Sequence, residues 1–200
     1  NEESLNAALA HPSEPEIALR GKELFIPRIR RMPVAEEGSA GAAALRKGTV
    51  VLTGGTGGLG ALVAKHLVQE HGVKHLLLTS RRGSKTVGAP ELASELKELG
   101  ADSVRIEACD VAERESVKEL LNSIDASTPL VGVFHLAGVI DDGLVQAMTE
   151  ESLRMVLTPK VNGAWNLHEL TADFDLPYFV LFSSIGGAFG NPGQGNYAAA

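Results

Sequence analysis

The stretch TVVLTGGTGGLGALVAKHL, residues 49–67, decides the fold of this chain. A short β-type run at 49–53 leads into 54–60, where five of seven residues are glycine, and a helical pattern follows at once. Glycine at this density costs backbone entropy, so it indicates a sharp turn that another group approaches closely. The stretch therefore predicts a strand, a tight turn and a helix in direct succession.

Two glycine spacings overlap in this turn: G-x-G-x-x-G from Gly55 to Gly60, and T-G-x-x-x-G-x-G from Thr53 to Gly60. Between a strand and a helix, both are typical of sites where backbone N–H groups at the helix N-terminus bind a dinucleotide pyrophosphate. The alternative is a turn that serves only close packing of helix on strand. The residues predicted to contact the cofactor here are Gly54, Thr56, Gly57, Gly58, Leu59 and Gly60.

Strand and helix patterns alternate from residue 49 to the end of the chain. Strands are predicted over 49–54, 74–80, 103–111, 130–138 and 177–184, and helices over 61–72, 89–100, 113–124 and 149–171, the last with a bend at Pro159. Such alternation is typical of a parallel sheet with helices on both faces. We therefore expect an α/β fold with a Rossmann-like, doubly wound parallel sheet.

The first 36 residues have a different pattern. Residues 16–30 predict two short strands around a Gly21–Lys22 turn, and Pro27 places the second strand at a sheet edge. A hairpin of this size is marginal by itself, so we expect it to belong to a neighbouring unit. Residues 37–48 are interpreted as a linker, with a short helical turn over 42–46 as the alternative.

Composition and charge exclude several classes of protein. The 18 basic and 25 acidic residues give a net charge of −7, which disfavours a nucleic-acid partner because phosphate binding needs a basic surface. Cys109 is the single cysteine, so neither a disulfide framework nor a metal site is expected. Residues 1–16 lack a hydrophobic signal core, and no apolar run approaches the ~20 residues of a membrane span. We expect a cytoplasmic protein.

The end of the second predicted strand indicates which dinucleotide binds. Ser80, Arg81 and Arg82 stand there, and no acidic residue follows before Glu91. An acidic side chain at this place binds a ribose 2′-hydroxyl, whereas arginine grips a 2′-phosphate. The sequence therefore predicts NADPH, with a solvated basic turn as the alternative. Asp110, after the third predicted strand, either caps the next helix or meets the adenine amine.

Three residues near the carboxyl edge of the predicted sheet form a candidate catalytic set. Ser184 ends the fifth predicted strand, Tyr197 follows 13 positions later, and Lys160 lies on the preceding helix. A strand-end serine and a nearby tyrosine can share one substrate oxygen. Because tyrosine ordinarily titrates near ~10, acid–base work near neutrality needs a cation beside the phenolate. The alternatives are that Ser184 only terminates a strand, that Tyr197 is a half-buried aromatic residue, and that Lys160 is a solvated helix residue.

At this point the sequence resembles a known family, the short-chain dehydrogenase/reductases, and more closely the ketoreductase domain of modular type I polyketide synthases. The motifs that carry the resemblance are TGGTGGLG (53–60), CDV (109–111), HLAGVIDDG (135–143), KVNGAWNLHEL (160–170), FSS (182–184) and GQGNYAAA (193–200). In this ketoreductase family the lysine precedes the tyrosine, and Lys160 lies 37 positions before Tyr197. The resemblance covers nearly all of residues 48–200.

The resemblance implies NADPH-dependent reduction of a β-ketoacyl thioester held by the phosphopantetheine arm of an acyl carrier protein. Tyr197 would protonate the developing alkoxide, Ser184 would hydrogen-bond it, and Lys160 would stabilise the phenolate and assist in ribose contact. It also implies that residues 1–36 are the tail of a non-catalytic structural subdomain, and that other polyketide synthase domains are partners. The further cofactor contacts expected are Val111, Ala137, Gly138, Lys160 and Tyr197.

One motif bears on stereochemistry. In this family a Leu-Asp-Asp triplet after the fourth strand marks B-type domains, which yield a D-configured β-hydroxyl. This chain has Ile140-Asp141-Asp142 at that place, so the resemblance implies the B-type outcome. Domains of opposite outcome carry a tryptophan eight places before the tyrosine, where this chain has Phe189. A loop at Asp142 would bias the side from which the carrier arm enters. Pro192, five positions before Tyr197, resembles the proline of a subgroup that favours one epimer of an α-substituted substrate. The alternative is an Asp-Asp-Gly turn that caps the following segment.

The family pattern also places an asparagine four positions after the tyrosine, at position 201. We therefore expect 49–200 to be a ketoreductase subdomain truncated after Tyr197, with an incomplete sheet, and the 200 residues alone to be inactive. Two other functions compete with this interpretation. One is a free-standing short-chain ketone reductase, which the hairpin and linker before Gly48 disfavour. The other is a non-catalytic dinucleotide-binding scaffold, which the catalytic set disfavours.

Overall fold

The computed structural model describes residues 2–11, 13–14, 16–32 and 40–200. The chain divides into two compact units, 1–38 and 39–200. Residues 37–39 of the predicted linker lie outside the described residues.

The first unit contains a helix and a hairpin. Helix α1 spans Glu2–Leu9, and strands β1 (Ala18–Arg20) and β2 (Glu23–Phe25) pair antiparallel. Gly21 in the turn has φ of +65°, a conformation that glycine adopts without steric cost. The predicted hairpin is confirmed. Helix α1 is absent from the predicted elements because eight residues give too few turns for a clear period.

The second unit alternates strands and helices as predicted. Its elements are α2 (Ala40–Leu45), β3 (Thr49–Thr53), α3 (Gly58–Gln69), β4 (His75–Ser80), α4 (Ala89–Glu98), β5 (Ser103–Ala108), α5 (Arg114–Asn122), β6 (Leu130–His135), α6 (Glu150–Leu170), β7 (Tyr178–Leu181), α7 (Gly186–Phe189) and α8 (Gly195–Ala199). Short 3₁₀ turns lie at Gly83–Lys85 and Val145–Ala147.

The five strands of this unit form one parallel sheet in the order β5-β4-β3-β6-β7. The chain starts in the centre at β3, builds outward to β5, and then crosses to β6 on the other side. Loops leaving β3 and β6 therefore diverge at their carboxyl ends, where Thr53 pairs with His135. Such a switch point forms a ligand crevice in doubly wound sheets. The predicted Rossmann-like architecture is confirmed.

Helices cover both faces of the sheet. Val50 and Leu52 face a core cluster with residues of α3 and α4, whereas Val51 faces a second cluster with residues of α5 and α6. Side chains alternate between the two faces of a strand, and both faces are covered by helices. All three residues of this run are therefore buried, each at 0% exposure. Burial on both faces explains why the central strand is continuously hydrophobic.

Some predicted boundaries differ from the structure. Residues 40–45 are helical and Leu45 is buried against the sheet, which fits the helical alternative for this segment. Strand β7 ends at Leu181, three positions before Ser184, so the prediction that Ser184 ends a buried strand is wrong. The strand is at a sheet edge, and its side chains alternate between half-buried and exposed. Helix α6 continues through Pro159 as one element.

Among the described residues, no helix is both long enough and apolar enough to span a membrane.

Candidate functional site

The glycine turn between β3 and α3 has two kinds of glycine. Gly54 has φ of +66°, and a Cβ there would lie 2.9 Å from the Ala137 nitrogen. A Cβ on Gly60 would lie 2.2 Å from the Gly54 carbonyl oxygen, whereas one on Gly58 would meet nothing within 4 Å. Gly54 and Gly60 are therefore required by the fold, and Gly58 leaves open space.

A cavity of about 1800 Å³ adjoins this turn at the carboxyl edge of the sheet. All of the predicted cofactor-contacting residues line it except Lys160 and Tyr197. Gly55 is not among the lining residues, because it packs against Leu52 and Leu78 instead. The T-G-x-x-x-G-x-G spacing, which starts at Thr53, thus describes the cavity wall better than the G-x-G-x-x-G spacing.

Part of the cavity wall is formed by residues that the sequence motifs do not indicate. These lining residues lie beside predicted ones at strand ends or on the first turns of α6, and they are Thr79, Thr86, Cys109, Ala112, Glu113, Leu136, Val139, Ile140, Glu150, Glu151, Arg154, Met155, Thr158 and Pro159. The α6 residues carry no motif. Their sequence position, directly after the loop that leaves the switch point, is the signal that could have found them.

The basic end of β4 faces the cavity. Arg81 and Arg82 are exposed and line it, and the Ser80 hydroxyl lies 3.0 Å from the Thr86 hydroxyl. Gly83 follows with φ of +53°, and a Cβ there would lie 2.4 Å from the Ala108 nitrogen. The chain is therefore fixed directly after the two arginines, while their guanidinium groups stay accessible to an anion.

Asp110 does not cap α5, whose N-cap position is Glu113, with no side-chain hydrogen bond there. The Asp110 Oδ1 accepts a hydrogen bond from the Ala112 N–H at 3.0 Å, which orders the turn before α5. The residue is also exposed and lines the cavity. Its neighbour Cys109 is buried, and burial raises the pKa of that thiol above its ordinary value although Ser116 donates a hydrogen bond to the sulfur. Cys109 is therefore a packing residue of the cavity wall.

The structure brings Lys160 and Tyr197 together. The Lys160 side chain passes over Gly138, where a Cβ would lie 3.3 Å from the lysine Cε. Its Nζ donates to the Phe182 carbonyl oxygen at 3.3 Å and lies 5.3 Å from the centre of the Tyr197 ring, within the range of a cation–π contact. Helix α6 thus delivers a positive charge to the face of the tyrosine.

Ser184 reaches the same region through short backbone elements. Its hydroxyl oxygen accepts a hydrogen bond from the Gly186 N–H at 3.1 Å, at the start of α7. Helix α7 packs on α8, where a Cβ on Gly187 would lie 3.5 Å from the Ala198 carbonyl oxygen. The Phe182 carbonyl that holds Lys160 lies two residues before Ser184. The three candidate catalytic residues are therefore carried by adjoining elements.

The acidic triplet contacts the chain just before Tyr197. Asp142 accepts hydrogen bonds from the Gln194 side-chain amide at 2.9 and 3.1 Å, and the Asp141 carboxylate accepts one from the Ser152 hydroxyl. Ile140 is 63% exposed and lines the cavity. Pro192 is exposed within the same loop as Gln194. Asp141, Asp142 and Pro192 lie outside the cavity wall.

A buried histidine that the sequence analysis did not single out lies under the switch point. His135 is 4% exposed, and its Nδ1 lies 2.6 Å from the Thr53 hydroxyl. That hydroxyl oxygen accepts the Ala137 N–H at 3.2 Å, so it can donate its own proton to Nδ1. The pair ties the ends of β3 and β6 together beneath the cavity.

Burial, the largest cause, lowers the pKa of His135 below its ordinary value of 6.5, although the Lys160 and Pro159 backbone act in the opposite direction. The unfolded chain therefore binds a proton that the folded chain rejects, so stability is lost as pH falls below about 6.5, by at most about 1.4 kcal/mol per pH unit. Urea unfolding at about pH 7.5 and about pH 5.5 should show a smaller pH dependence for His135→Gln than for the parent. An equal pH dependence in both proteins would contradict this assignment.

The residues around the cavity fit a dinucleotide phosphate. The first N–H groups of a helix have no intrahelical partner, and Gly58, Leu59 and Gly60 present theirs at the cavity wall. The Thr79 hydroxyl is buried there with no hydrogen-bond partner in the described part of the chain. Among the described residues, no group of three or more acidic, histidine or cysteine side chains is arranged to hold a metal ion.

Comparison with known proteins gives one consistent family. Residues 48–200 match a family model described as KR domain. The chain is 49% identical over 193 residues to polyketide synthase GfsA of Streptomyces halstedii, which covers 94% of this chain and 2% of GfsA. It is 55% identical over 153 residues to erythronolide synthase EryA2 of Saccharopolyspora erythraea, which covers 76% of this chain and 4% of EryA2.

Solved structures agree with the sequence comparisons. An A-type ketoreductase from a modular polyketide synthase superposes with a TM-score of 0.85 at 45% identity, over 98% of this chain and 41% of that chain. The first ketoreductase of the tylosin polyketide synthase superposes with a TM-score of 0.83 at 42% identity, over 99% of this chain and 42% of that chain. The chain thus spans less than half the length of either structure, and a few per cent of the curated relatives.

Proposed function

The chain belongs to the ketoreductase (KR) domain family of modular polyketide synthases, and from this we propose that it reduces the β-keto group of a thioester carried by an acyl carrier protein, with NADPH as the reductant. The product is the β-hydroxyacyl thioester. The thioester arrives on a phosphopantetheine arm, and the other domains of a polyketide synthase are the partners. Relatives that are many times longer than this chain support the multidomain setting.

The observation that carries this proposal is the contact between Lys160 and Tyr197 beside a cavity suited to a dinucleotide. A scaffold that only bound nucleotide would gain nothing from a lysine held over a tyrosine ring at 5.3 Å. A reductase gains a stabilised phenolate, because a nearby cation favours the charged form of an acid. The pair lies on α6 and α8, and Pro159, directly before Lys160 on α6, lines the cavity.

The chain's own residues have distinct roles in the reduction. NADPH, when bound, supplies the hydride that adds to the β-carbon. The Tyr197 hydroxyl donates its proton to the β-oxygen as that oxygen gains negative charge. The Ser184 hydroxyl donates a hydrogen bond to the same oxygen, a contact that strengthens as charge develops. Lys160 then stabilises the phenolate that remains on Tyr197, and it assists in holding the ribose.

The test is an assay of NADPH oxidation by the natural full-length protein, in which the loss of NADPH absorbance measures turnover. We expect faster turnover with a β-ketoacyl chain on an acyl carrier protein than with a simple ketone. Equal turnover with both substrates would favour a general ketone reductase. NADPH binding without oxidation of either substrate would favour a scaffold.

NADPH preference is proposed from Arg81 and Arg82, which are exposed at the cavity wall. Replacing both with alanine should raise the Kd for NADPH by about 100-fold or more, because hydrogen bonds to charged groups contribute about 1.5–3 kcal/mol each. The Kd for NADH should stay unchanged. Arg114→Ala is the matched control, since Arg114 pairs with Glu169. Calorimetric titration measures the affinities of the three proteins for NADPH and NADH, and equal NADH and NADPH affinity in the parent would refute the assignment.

A D-configured β-hydroxyl is proposed from Ile140-Asp141-Asp142 and from phenylalanine at position 189. The solved neighbour described as A-type makes this a discriminating proposal, because it depends on this chain's own residues and not on overall similarity. Chiral chromatography of the reduced thioester measures the outcome. A predominantly L-configured alcohol from the unaltered full-length protein would overturn it.

A further inference from the structure

Two loops meet directly beside Tyr197. The acidic loop, residues 140–143, follows β6, and the tyrosine segment, residues 191–199, contains α8. Their backbones join where the Gly143 N–H donates to the Gly193 carbonyl at 2.7 Å and Gly143 forms a parallel bridge with Gln194. The Asp142 carboxylate receives both of its hydrogen bonds from Gln194. The acidic loop is thus bound to the tyrosine segment at its backbone and at its side chains.

Asn196 makes the buried part of this connection. It is 0% exposed, and its side-chain amide donates to the Asp141 carbonyl oxygen at 2.8 Å and approaches the Ser152 hydroxyl at 3.4 Å. Its side-chain oxygen accepts the N–H of Tyr197 at 2.8 Å. Ser152 in turn donates to the Asp141 carboxylate. One buried amide therefore connects the acidic loop and the start of α6 to the backbone of Tyr197.

This arrangement bears on the distance between Lys160 and Tyr197. Lys160 is held by α6, whose first turn contains Ser152, and Tyr197 is held by α8. The two helices are in contact, and the Asn196 and Ser152 hydrogen bonds join their starts. A shift of the acidic loop would therefore move Tyr197 relative to the ammonium above its ring.

We infer that the acidic loop acts on the reaction by positioning Tyr197, through Asp142 with Gln194 and Asp141 with Asn196, and not through direct contact of its carboxylates with the substrate. The inference rests on the proposed function and deepens it. Gln194 and Asn196 become positioning residues. The Asp142 carboxylate accepts from Gln194 and the Asp141 carboxylate accepts from Ser152, so both carboxylates are already hydrogen-bonded to the chain itself.

The first test is amide hydrogen exchange in the natural full-length protein, which needs no activity. Asp142→Ala and Gln194→Ala should each speed exchange in residues 193–199, and the double variant should exchange no faster than either single variant. Gln146→Ala is the matched control, because the Gln146 side chain makes no hydrogen bond within the described residues and is exposed. Unchanged exchange at 193–199 in both single variants would overturn the inference.

The second test is a double-mutant cycle on turnover and on the D to L product ratio. Misplacing a catalytic group can lower the rate by up to about 10²-fold. We therefore expect Asp142→Ala and Gln194→Ala each to lower kcat about tenfold, and the double variant to lower kcat by the same factor as either single variant. Multiplying effects, about a hundredfold in the double variant, would mean that Asp142 acts on the substrate directly. Asn196→Leu, which removes both the amide donor and the amide oxygen at nearly constant volume and adds no charge, should lower kcat while the NADPH Kd stays within about twofold. An unchanged kcat would contradict the role of Asn196.

These outcomes separate the inference from the proposed function. Absence of NADPH oxidation by the unaltered protein defeats the proposed function, and the exchange measurement still decides whether the acidic loop holds the tyrosine segment. An active protein with multiplying effects defeats the inference alone.

Discussion

Replacement of Tyr197 by phenylalanine in the full-length protein is expected to lower turnover of a β-ketoacyl thioester by about 10²–10⁴-fold. The ring remains, so its contact with the Lys160 ammonium and the packing of α8 on α6 persist. The hydroxyl is lost, and with it the proton donated to the β-oxygen. Because that interaction exists mainly in the transition state, the loss should appear in kcat and not in the affinity for NADPH.

The chain offers a matched control for this variant. Tyr178 is the other of its two tyrosines, and it lies on β7 stacked on Phe134, with ring centres 6.5 Å apart. Tyr178→Phe should leave turnover unchanged. Steady-state kinetics with fluorescence titration of NADPH compares the two variants. Turnover of Tyr197→Phe within threefold of the parent would remove Tyr197 from the role of acid.

Gly60→Ala is expected to destabilise the folded protein by about 3 kcal/mol. The new Cβ would lie 2.2 Å from the Gly54 carbonyl oxygen and 2.7 Å from the Gly55 Cα. Both are backbone atoms, so the turn itself must move. Alanine would gain about 1 kcal/mol of helix propensity over glycine, and the clash exceeds that gain. The displaced turn should also lose its affinity for NADPH.

Gly58→Ala is expected to weaken NADPH binding without destabilising the fold. A Cβ at Gly58 meets nothing within 4 Å, so the melting temperature should equal or exceed that of the parent. The same Cβ enters the cavity that Gly58 lines, so the Kd for NADPH should rise. Thermal unfolding and NADPH titration of both variants measure the contrast. A stable Gly60→Ala protein with normal NADPH affinity would show that the turn tolerates a side chain there.

The sequence by itself determined the sheet, most of its helices, and the part of the cavity wall that the glycine turn and the strand ends form. The reason is that these features depend on local signals. The central run at 49–53 is apolar because both faces are buried, and the glycines at 54–60 mark a turn in which Gly54 and Gly60 leave no room for a Cβ. Motifs at the ends of successive parallel strands must meet at one edge, so the candidate cofactor-binding residues could be grouped from the sequence.

Only the tertiary structure decided which distant side chains meet. No periodicity indicates that Asp142 binds Gln194, 52 positions later, or that Thr53 binds His135, 82 positions later. Ser184 was predicted to end the strand because the apolar run 179–182 comes just before it, and the structure ends β7 earlier, at Leu181, since the edge strand is only half buried. Contacts between side chains on separate loops depend on how the helices pack, and packing is a property of the whole chain. For that reason the catalytic candidates could be named from the sequence, while the hydrogen bonds that hold Tyr197 required the fold.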